Sequence, residues 1–206
     1  MTDFDVAIDG DDPVINATSI DGDTLYFGGD FDTVDGEPRD RLAAVDAHDG
    51  GLRDWDPAPE DTVYGLGNYD GQLYVGGRFS GDDTTIGGAS HDHVARLDGD
   101  TGGADDWTVD APPRIATFAF DSRAVYLGVD WAYGGSWTLE DIGAADPNTG
   151  EPLLWNPDII PHVRPRYFYS ATTAGDVLFV GGPDHPTLPL DEGDLRRRFL
   201  GLPLVQ

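Results

Sequence analysis

Four times along the chain, a short apolar segment, a turn and a second apolar segment follow one another. The first segments are Val14 to Ile20, Val63 to Leu66, Ile115 to Phe120 and Tyr167 to Thr172. The second segments begin at Leu25 (LYFGGDF), Leu73 (LYVGGRF), Val125 (VYLGVDW) and Leu178 (LFVGG). Turns such as Asp21-Gly22-Asp23 and Asp70-Gly71 separate them, and Asp-Gly between apolar runs predicts a hairpin because glycine accepts the positive φ that the turn requires. After a variable loop come a third strand (RLAAVD, HVARLD, DIGAAD), another turn and a fourth strand ending at a tryptophan.

The LYxGG-type segments are spaced 48, 52 and 53 residues apart, and Trp55, Trp107 and Trp155 run in step with spacings of 52 and 48. Two independent markers sharing one period identify an internal repeat. Leu25 and Phe27 alternate with Tyr26, and Leu73 and Val75 with Tyr74, so both faces of this strand are apolar. A strand covered on both faces is what radially stacked small sheets require. The paired glycines Gly28-Gly29 and Gly76-Gly77 permit close backbone approach or a bulge. The third copy has Gly128-Val129 there, and different packing is expected. A β-sandwich also has short antiparallel strands, but gives no reason to repeat tryptophan and diglycine every fifty or so residues.

The predicted fold class is therefore all-β: a β-propeller of about four four-stranded blades, forming a single unit over residues 1–206. The blades fall at 14–57, 62–109, 111–157 and 164–206, the last being atypical. After Gly182 its third and fourth strands are not recognisable, so the tail through Gln206 either improvises them or belongs to a truncated ring. Phe4, Val6 and Ile8 alternate and are expected to supply an outer strand closing the last blade. A closed four-bladed ring, an open arc, and self-association of two arcs completing one ring all fit this pattern.

Charge changes the picture more than length does. There are 39 acidic residues against 12 basic, a formal charge of −27, and every basic residue is arginine. Such a surface repels phosphate and anionic lipid, so neither nucleic acid nor a membrane is an expected partner. Self-repulsion of this size is screened at molar salt, where the Debye length is about 3 Å. The preference for Asp over Glu and the missing lysine resemble the residue usage of extreme halophiles such as the haloarchaea. Cysteine is absent and Met1 is the single methionine, which excludes disulfides and thiolate chemistry. No signal peptide or membrane-spanning run is recognisable, and cellular location stays open.

The turn Ala144-Ala145-Asp146-Pro147-Asn148-Thr149-Gly150, leading to Leu154-Trp155, closely resembles the AxDxxTGxxxW blade motif of PQQ-type (quinoprotein-like) propellers. Asp46 to Gly50 with Trp55, and Asp98 to Gly102 with Trp107, are looser copies. The resemblance covers roughly residues 14–182 and implies that the tryptophan docks between blades. Gly28, Gly29, Trp55, Gly76, Gly77, Trp107, Asp146, Gly150 and Trp155 are thereby expected to be structural. With LYVGGxF, the pattern is similar to large prokaryotic surface propellers that carry such repeats without bound quinone. Quinone-dependent dehydrogenases of the superfamily have more blades, and many carry an adjacent cysteine pair, which this chain lacks. Blade motifs alone carry no activity across.

Among candidate sites, Asp130 to Trp137 is the richest. Trp131 aligns with core Phe31 and Phe79, whereas Tyr133 and Trp137 do not, and they are the candidate ligand-binding residues. Aromatic rings beside carboxylates suit a sugar or an apolar partner. His91-Asp92-His93, if extended, aims both imidazoles to one side, but two ligands do not make a metal site, and a solvated loop is expected. Asp98, Asp100, Asp105 and Asp106 lack the pattern of a calcium loop. Asn16-Ala17-Thr18 matches a glycosylation sequon but lies inside a predicted strand. No catalytic residue, metal or cofactor is assigned. The expected function is a non-catalytic binding or scaffold module presenting rim loops to a protein or glycan. The alternative is a PQQ-like quinoprotein or glycan-acting enzyme fragment.

Overall fold

A computed structural model describes residues 4–81, 85–111, 114–129, 142–155, 168–182 and 199–205, and every regular element among them is a β-strand. The contacts divide the chain into two compact units, 1–108 and 109–206. In the first unit, sheet 1 joins β2 (Val14–Asp21), β3 (Thr24–Asp30) and β6 (Leu42–Asp46), and sheet 2 joins β7 (Val63–Tyr69), β8 (Gln72–Gly77) and β11 (Val94–Asp98). In the second, sheet 3 joins β12 (Ile115–Phe120), β13 (Val125–Val129) and β14 (Ile142–Ala145), and sheet 4 joins β15 (Ser170–Ala174), β16 (Val177–Gly181) and β17 (Phe199–Pro203). Each sheet is antiparallel with the LYxGG-type segment as its middle strand. Asp70 and Gly71 take φ of 52° and 74°, which gives β7 and β8 the two-residue turn that the Asp-Gly pair predicts.

Two sequence expectations need correction. In the first three repeats the fourth strand is reduced to one bridge, Val45 to Leu52, Leu97 to Ala104 and Ala145 to Pro152. Beyond it the backbone leaves the sheet to deliver the tryptophan, so the ladder ends after Arg53 N–H meets Ala44 O and Leu153 N–H meets Ala144 O. Phe4, Val6 and Ile8 do not form an outer strand of the last repeat. Instead β1 (Ile8–Asp9) pairs with β4 (Thr33–Val34), which forms a hairpin with β5 (Glu37–Pro38), and Val6 and Ile8 pack on the Phe27, Phe31 and Val45 side of sheet 1. The tail does supply a third strand to the fourth repeat, since β17 pairs with β16 from Phe199–Gly181 to Pro203–Val177. The equivalent hairpin in the second repeat is β9 (Thr85–Ile86) with β10 (Ala89–Ser90).

Opposite the glycine pairs, the first strand of sheets 1, 2 and 3 shifts register, between Ile15 and Ala17, Val63 and Gly65, and Ile115 and Thr117. The extra residue sits in a bulge that re-aims the strand. A Cβ on Gly29 would lie 1.9 Å from the Val14 carbonyl oxygen, and one on Gly77 would lie 2.4 Å from the Phe79 ring. The first glycine of the pair faces outward to the next sheet. At Gly28 a Cβ would meet Val63 Cγ1 at 2.5 Å, and at Gly128 it would meet Thr117 Cγ2 at 2.7 Å and Phe168 Cβ at 3.0 Å. In the third copy Val129, buried opposite Ile115, replaces the second glycine while the bulge persists.

Sheet 1 therefore packs on sheet 2 through a core of Tyr26, Leu42, Trp55, Val63, Leu66, Leu73, Val75 and Phe79. Sheet 3 packs on sheet 4 through Tyr126, Ile142, Phe168, Leu178, Val180 and Leu202. Because Gly28 sits at the first of these interfaces, Gly28→Ala is expected to cost about 1–3 kcal/mol by overpacking. Gly103→Ala, whose added Cβ meets nothing closer than 3.5 Å, serves as the control and is expected to stay within about 0.5 kcal/mol of the parent. Urea unfolding midpoints of the two variants check the difference.

Candidate functional site

The blade-motif residues form a repeated docking device. Tyr26 meets Trp55, Tyr74 meets Trp107 and Tyr126 meets Trp155, each pair edge-on with ring centroids 5.1 Å apart. This is the favoured quadrupolar arrangement of two aromatic rings. In the first unit the pair grips the turn of the next sheet: Tyr26 Oη donates to Gly99 O at 2.9 Å and Trp55 Nε1 to Asp98 O at 3.4 Å. In the second unit Trp155 Nε1 donates to Pro203 O at 2.9 Å, and Tyr126 Oη accepts from Val205 N–H at 3.0 Å. Pro203 stands opposite Val177 as Asp98 stands opposite Gln72, so the two tryptophans reach equivalent carbonyls. Burial, with Asp121 nearby, pushes the Tyr126 phenol up to about 12.

The turns after the third strands of the first three repeats are built by their aspartates. Asp98 Oδ1 accepts from Asp100 N–H, Thr101 N–H and Thr101 Oγ1, and Asp146 Oδ1 accepts from Asn148 and Thr149 N–H. Asp46 Oδ1 accepts from His48 N–H. These bonds hold all three carboxyls below the usual carboxylate range. Gly50, Gly102 and Gly150 close the turns with φ near 76° to 80°, each donating N–H to the carbonyl of its turn aspartate. The Asp98 carboxylate is thus occupied by its own turn.

A concave site of about 250 Å³ opens on the loop side of the second repeat, lined by Gly81, Ser90, His91, Asp92, Asp105 and Asp106 among others. Here the solvated-loop expectation for His91-Asp92-His93 fails. His93 takes φ of 66° in a tight turn in which Val94 N–H meets Asp92 O, so the segment is not extended. Arg41 takes φ of 60° in the same turn of the first repeat, with Leu42 N–H on Asp40 O. His91 is only 7% exposed, and its Nε2 has no protein partner. Burial holds its imidazole below the ordinary value, against the pull of a backbone hydrogen bond at Asp105 and the charges of Asp105, Asp106 and Asp92. Asp92 Oδ1 caps Gly81 N–H, and Asp105 Oδ2 accepts from Arg96 Nε at 2.8 Å. Asp106 is exposed beside them. The result is a small acceptor-rich concavity with a neutral imidazole in its wall, chemistry suited to hydroxyl donors.

Sequence inspection saw these residues only as a weak metal pair and an acidic run. Their convergence depends on the left-handed turn at His93, which no motif announces. Among the described residues, no group of three or more His, Asp or Glu is placed to hold a metal ion, and no helix is long and apolar enough to cross a membrane. Tyr133 and Trp137 lie outside the described residues, as does Trp131.

No family model matches the chain, and no curated protein does. Among solved structures, the chain is similar to the crystal structure of the computationally designed Ika4 protein, with a TM-score of 0.53, 17% identity, and coverage of 85% of this chain and 89% of that one. It is also matched with the computationally designed Ika8 protein at a TM-score of 0.49 and 10% identity, over 82% of this chain and 55% of that one. At such identity the first likeness concerns fold alone.

The buried His91 has a pH consequence. Its folded pKa is lowered, so below about 6.5 the unfolded chain takes up a proton that the folded chain refuses. Stability is full above that pH and declines as pH falls toward the folded value. His93, also lowered by burial, acts in the same direction. The urea midpoint is expected to drop between pH 6.5 and 5, and His91→Gln to flatten that slope. An unchanged slope in the variant would assign the effect elsewhere.

Proposed function

We propose that this chain is a non-catalytic β-propeller binding or scaffold module of a salt-adapted protein, presenting its variable loops to a glycan or protein partner. One observation carries this reading: the strand, bulge, Tyr–Trp and Asp-turn scaffold recurs in the first three repeats, while the loops between their second and third strands differ in length and residues. In the first repeat this loop holds the hairpin at Thr33 to Pro38. In the second it is longer and lines the His91 concavity. In the third it carries Tyr133 and Trp137. Constant scaffold with variable loops is how rigid β architectures carry recognition.

Several charges on the body also have structural duties. Arg53 pairs with Asp46, Arg78 with Asp61, Arg96 with Asp105 and Arg123 with Asp121. The acid excess beyond these pairs is what screening at molar salt would relieve.

The test is titration of neutral oligosaccharides into the full chain in molar KCl, with product analysis. Saturable binding without product is expected, weakened at least about tenfold, or 1.4 kcal/mol, by substitution in the loop that binds, Asp106→Ala for the second repeat or Tyr133→Ala with Trp137→Ala for the third. Release of a cleaved sugar, or quinone reduction by substrate, would replace this function with an enzymatic one. Binding of no glycan would leave a protein as the ligand. The unfolding midpoint is also expected to rise steeply from low salt to molar KCl, and a flat salt profile would remove the salt-adapted part.

A further inference from the structure

The first two repeats make the same left-handed turn ahead of the third strand, and the residue two places before it differs between them. Arg41 and His93 hold the equivalent positions, with Leu42 N–H on Asp40 O and Val94 N–H on Asp92 O. Arg39 of the first repeat therefore corresponds to His91 of the second, and Pro38 to Ser90. The bridges Val45 to Leu52 and Leu97 to Ala104 likewise make Arg53 the counterpart of Asp105, Asp54 of Asp106 and Asp56 of Thr108.

In the first repeat this position holds a guanidinium. Arg39 Nη2 donates to Arg53 O at 3.2 Å and Nη1 to Pro38 O at 2.7 Å, and Nη1 also lies 4.0 Å from an Asp56 carboxylate oxygen. The Arg39 side chain is only 13% exposed. In the second repeat His91 keeps the first of these contacts, since its ring bonds to the Asp105 backbone. Its Nε2 is left without a partner although the residue is 7% exposed. An imidazole is shorter than an arginine side chain and ends before the place that the guanidinium reaches.

The counterparts of Arg39's three partners, Ser90, Asp105 and Thr108, all line the concavity of about 250 Å³. The opening thus lies where the first repeat seats its own guanidinium. Its charge matches as well: Asp105 is paired with Arg96, and Asp92 and Asp106 add two further carboxylates. The charges of all three acids act on the His91 ring, so the ring stands among them. A guanidinium offers five N–H donors and no acceptor, the complement of carboxylates and an orphaned imidazole nitrogen. Its planar fork also fits a carboxylate through two parallel bonds. A neutral hydroxyl would satisfy the acceptors but leave the charges of Asp92 and Asp106 uncompensated.

We infer that this concavity binds the guanidinium of an arginine side chain presented by a partner protein, in the place that Arg39 fills in the first repeat. This occupancy rests on the loop-binding reading above and gives one loop its partner chemistry. Asp106, exposed beside the other acids, pairs with the incoming cation. At molar salt the long-range pull of the acidic body is screened, so close charge-assisted hydrogen bonds carry the recognition.

Titration of N-acetyl-argininamide into the isotope-labelled full chain in molar KCl, followed through the amide shifts of Gly81, His91 and Asp106, tests it. Saturable shifts are expected, with the near-isosteric neutral probe N-acetyl-citrullinamide bound at least about tenfold more weakly. Asp106→Asn is expected to weaken the argininamide by a similar factor. His91→Arg with Thr108→Asp rebuilds the pair of the first repeat inside the opening, and is expected to abolish binding with the unfolding midpoint retained or raised. Absence of saturable shifts, equal binding of the two probes, or undiminished binding in Asp106→Asn or in the refilled variant each overturns the proposal. Free arginine bound more tightly than the capped probe would make the ligand a small molecule and overturn the protein partner. Neutral oligosaccharides that shift these amides where argininamide does not would overturn the guanidinium and leave the loop-binding reading in place, whereas failure of that reading shows separately as release of product.

Discussion

The structure depends on a tryptophan leaving its own sheet to dock, edge-on to a tyrosine, against the sheet that follows. A three-stranded antiparallel sheet this small cannot bury both of its apolar faces alone. The Tyr26–Trp55 pair supplies the large apolar area that joins sheet 1 to sheet 2, and the indole and phenol hydrogen bonds to Asp98 and Gly99 carbonyls fix where it lands. Everything else in the repeat serves that contact. Gly28 leaves out a side chain where Val63 of sheet 2 arrives, the bulge bends the first strand, and the Asp98 turn offers rigid carbonyls as the target.

Strand order and turn positions were legible in the sequence because they rest on local chemistry. Asp70-Gly71 has the positive φ values its turn demands, and Leu25, Phe27 and Tyr26 divide between two buried faces as alternation requires. What escaped was determined by neighbours rather than by local pattern. Leu52, Ala104 and Pro152 make one bridge each because the chain must depart to place its tryptophan, and nothing in their own residue types says so. The third strand of the fourth repeat, Phe199 to Pro203, lacks the motif of the other copies because the carbonyl of Pro203, which any residue could offer, is what Trp155 needs.

The same distinction explains the candidate site. An acidic chain scatters carboxylates so densely that a functional one does not stand out. The turn at His93 accompanies a buried His91 beside Asp105 and Asp106, and Asp98, Asp146 and Asp105 each accept from N–H groups of their own turns, which leaves Asp106 as the exposed acid of the site. Burial and hydrogen-bond assignment, rather than composition, separate structural acids from available ones.

The amino-terminal segment shows where the modular boundary of this protein falls. Asp35 N–H takes the Ala7 carbonyl as Gly87 N–H takes that of Pro57, and Asp5 and Val6 lie over Gly50 as Trp55 lies over Gly102. The linker that follows Trp55 therefore belongs, by contact, to the sheet downstream of it, as the amino-terminal segment belongs to sheet 1. Excising, duplicating or circularly permuting a repeat has to cut ahead of that linker, since a cut at the first strand would separate a sheet from its own cover.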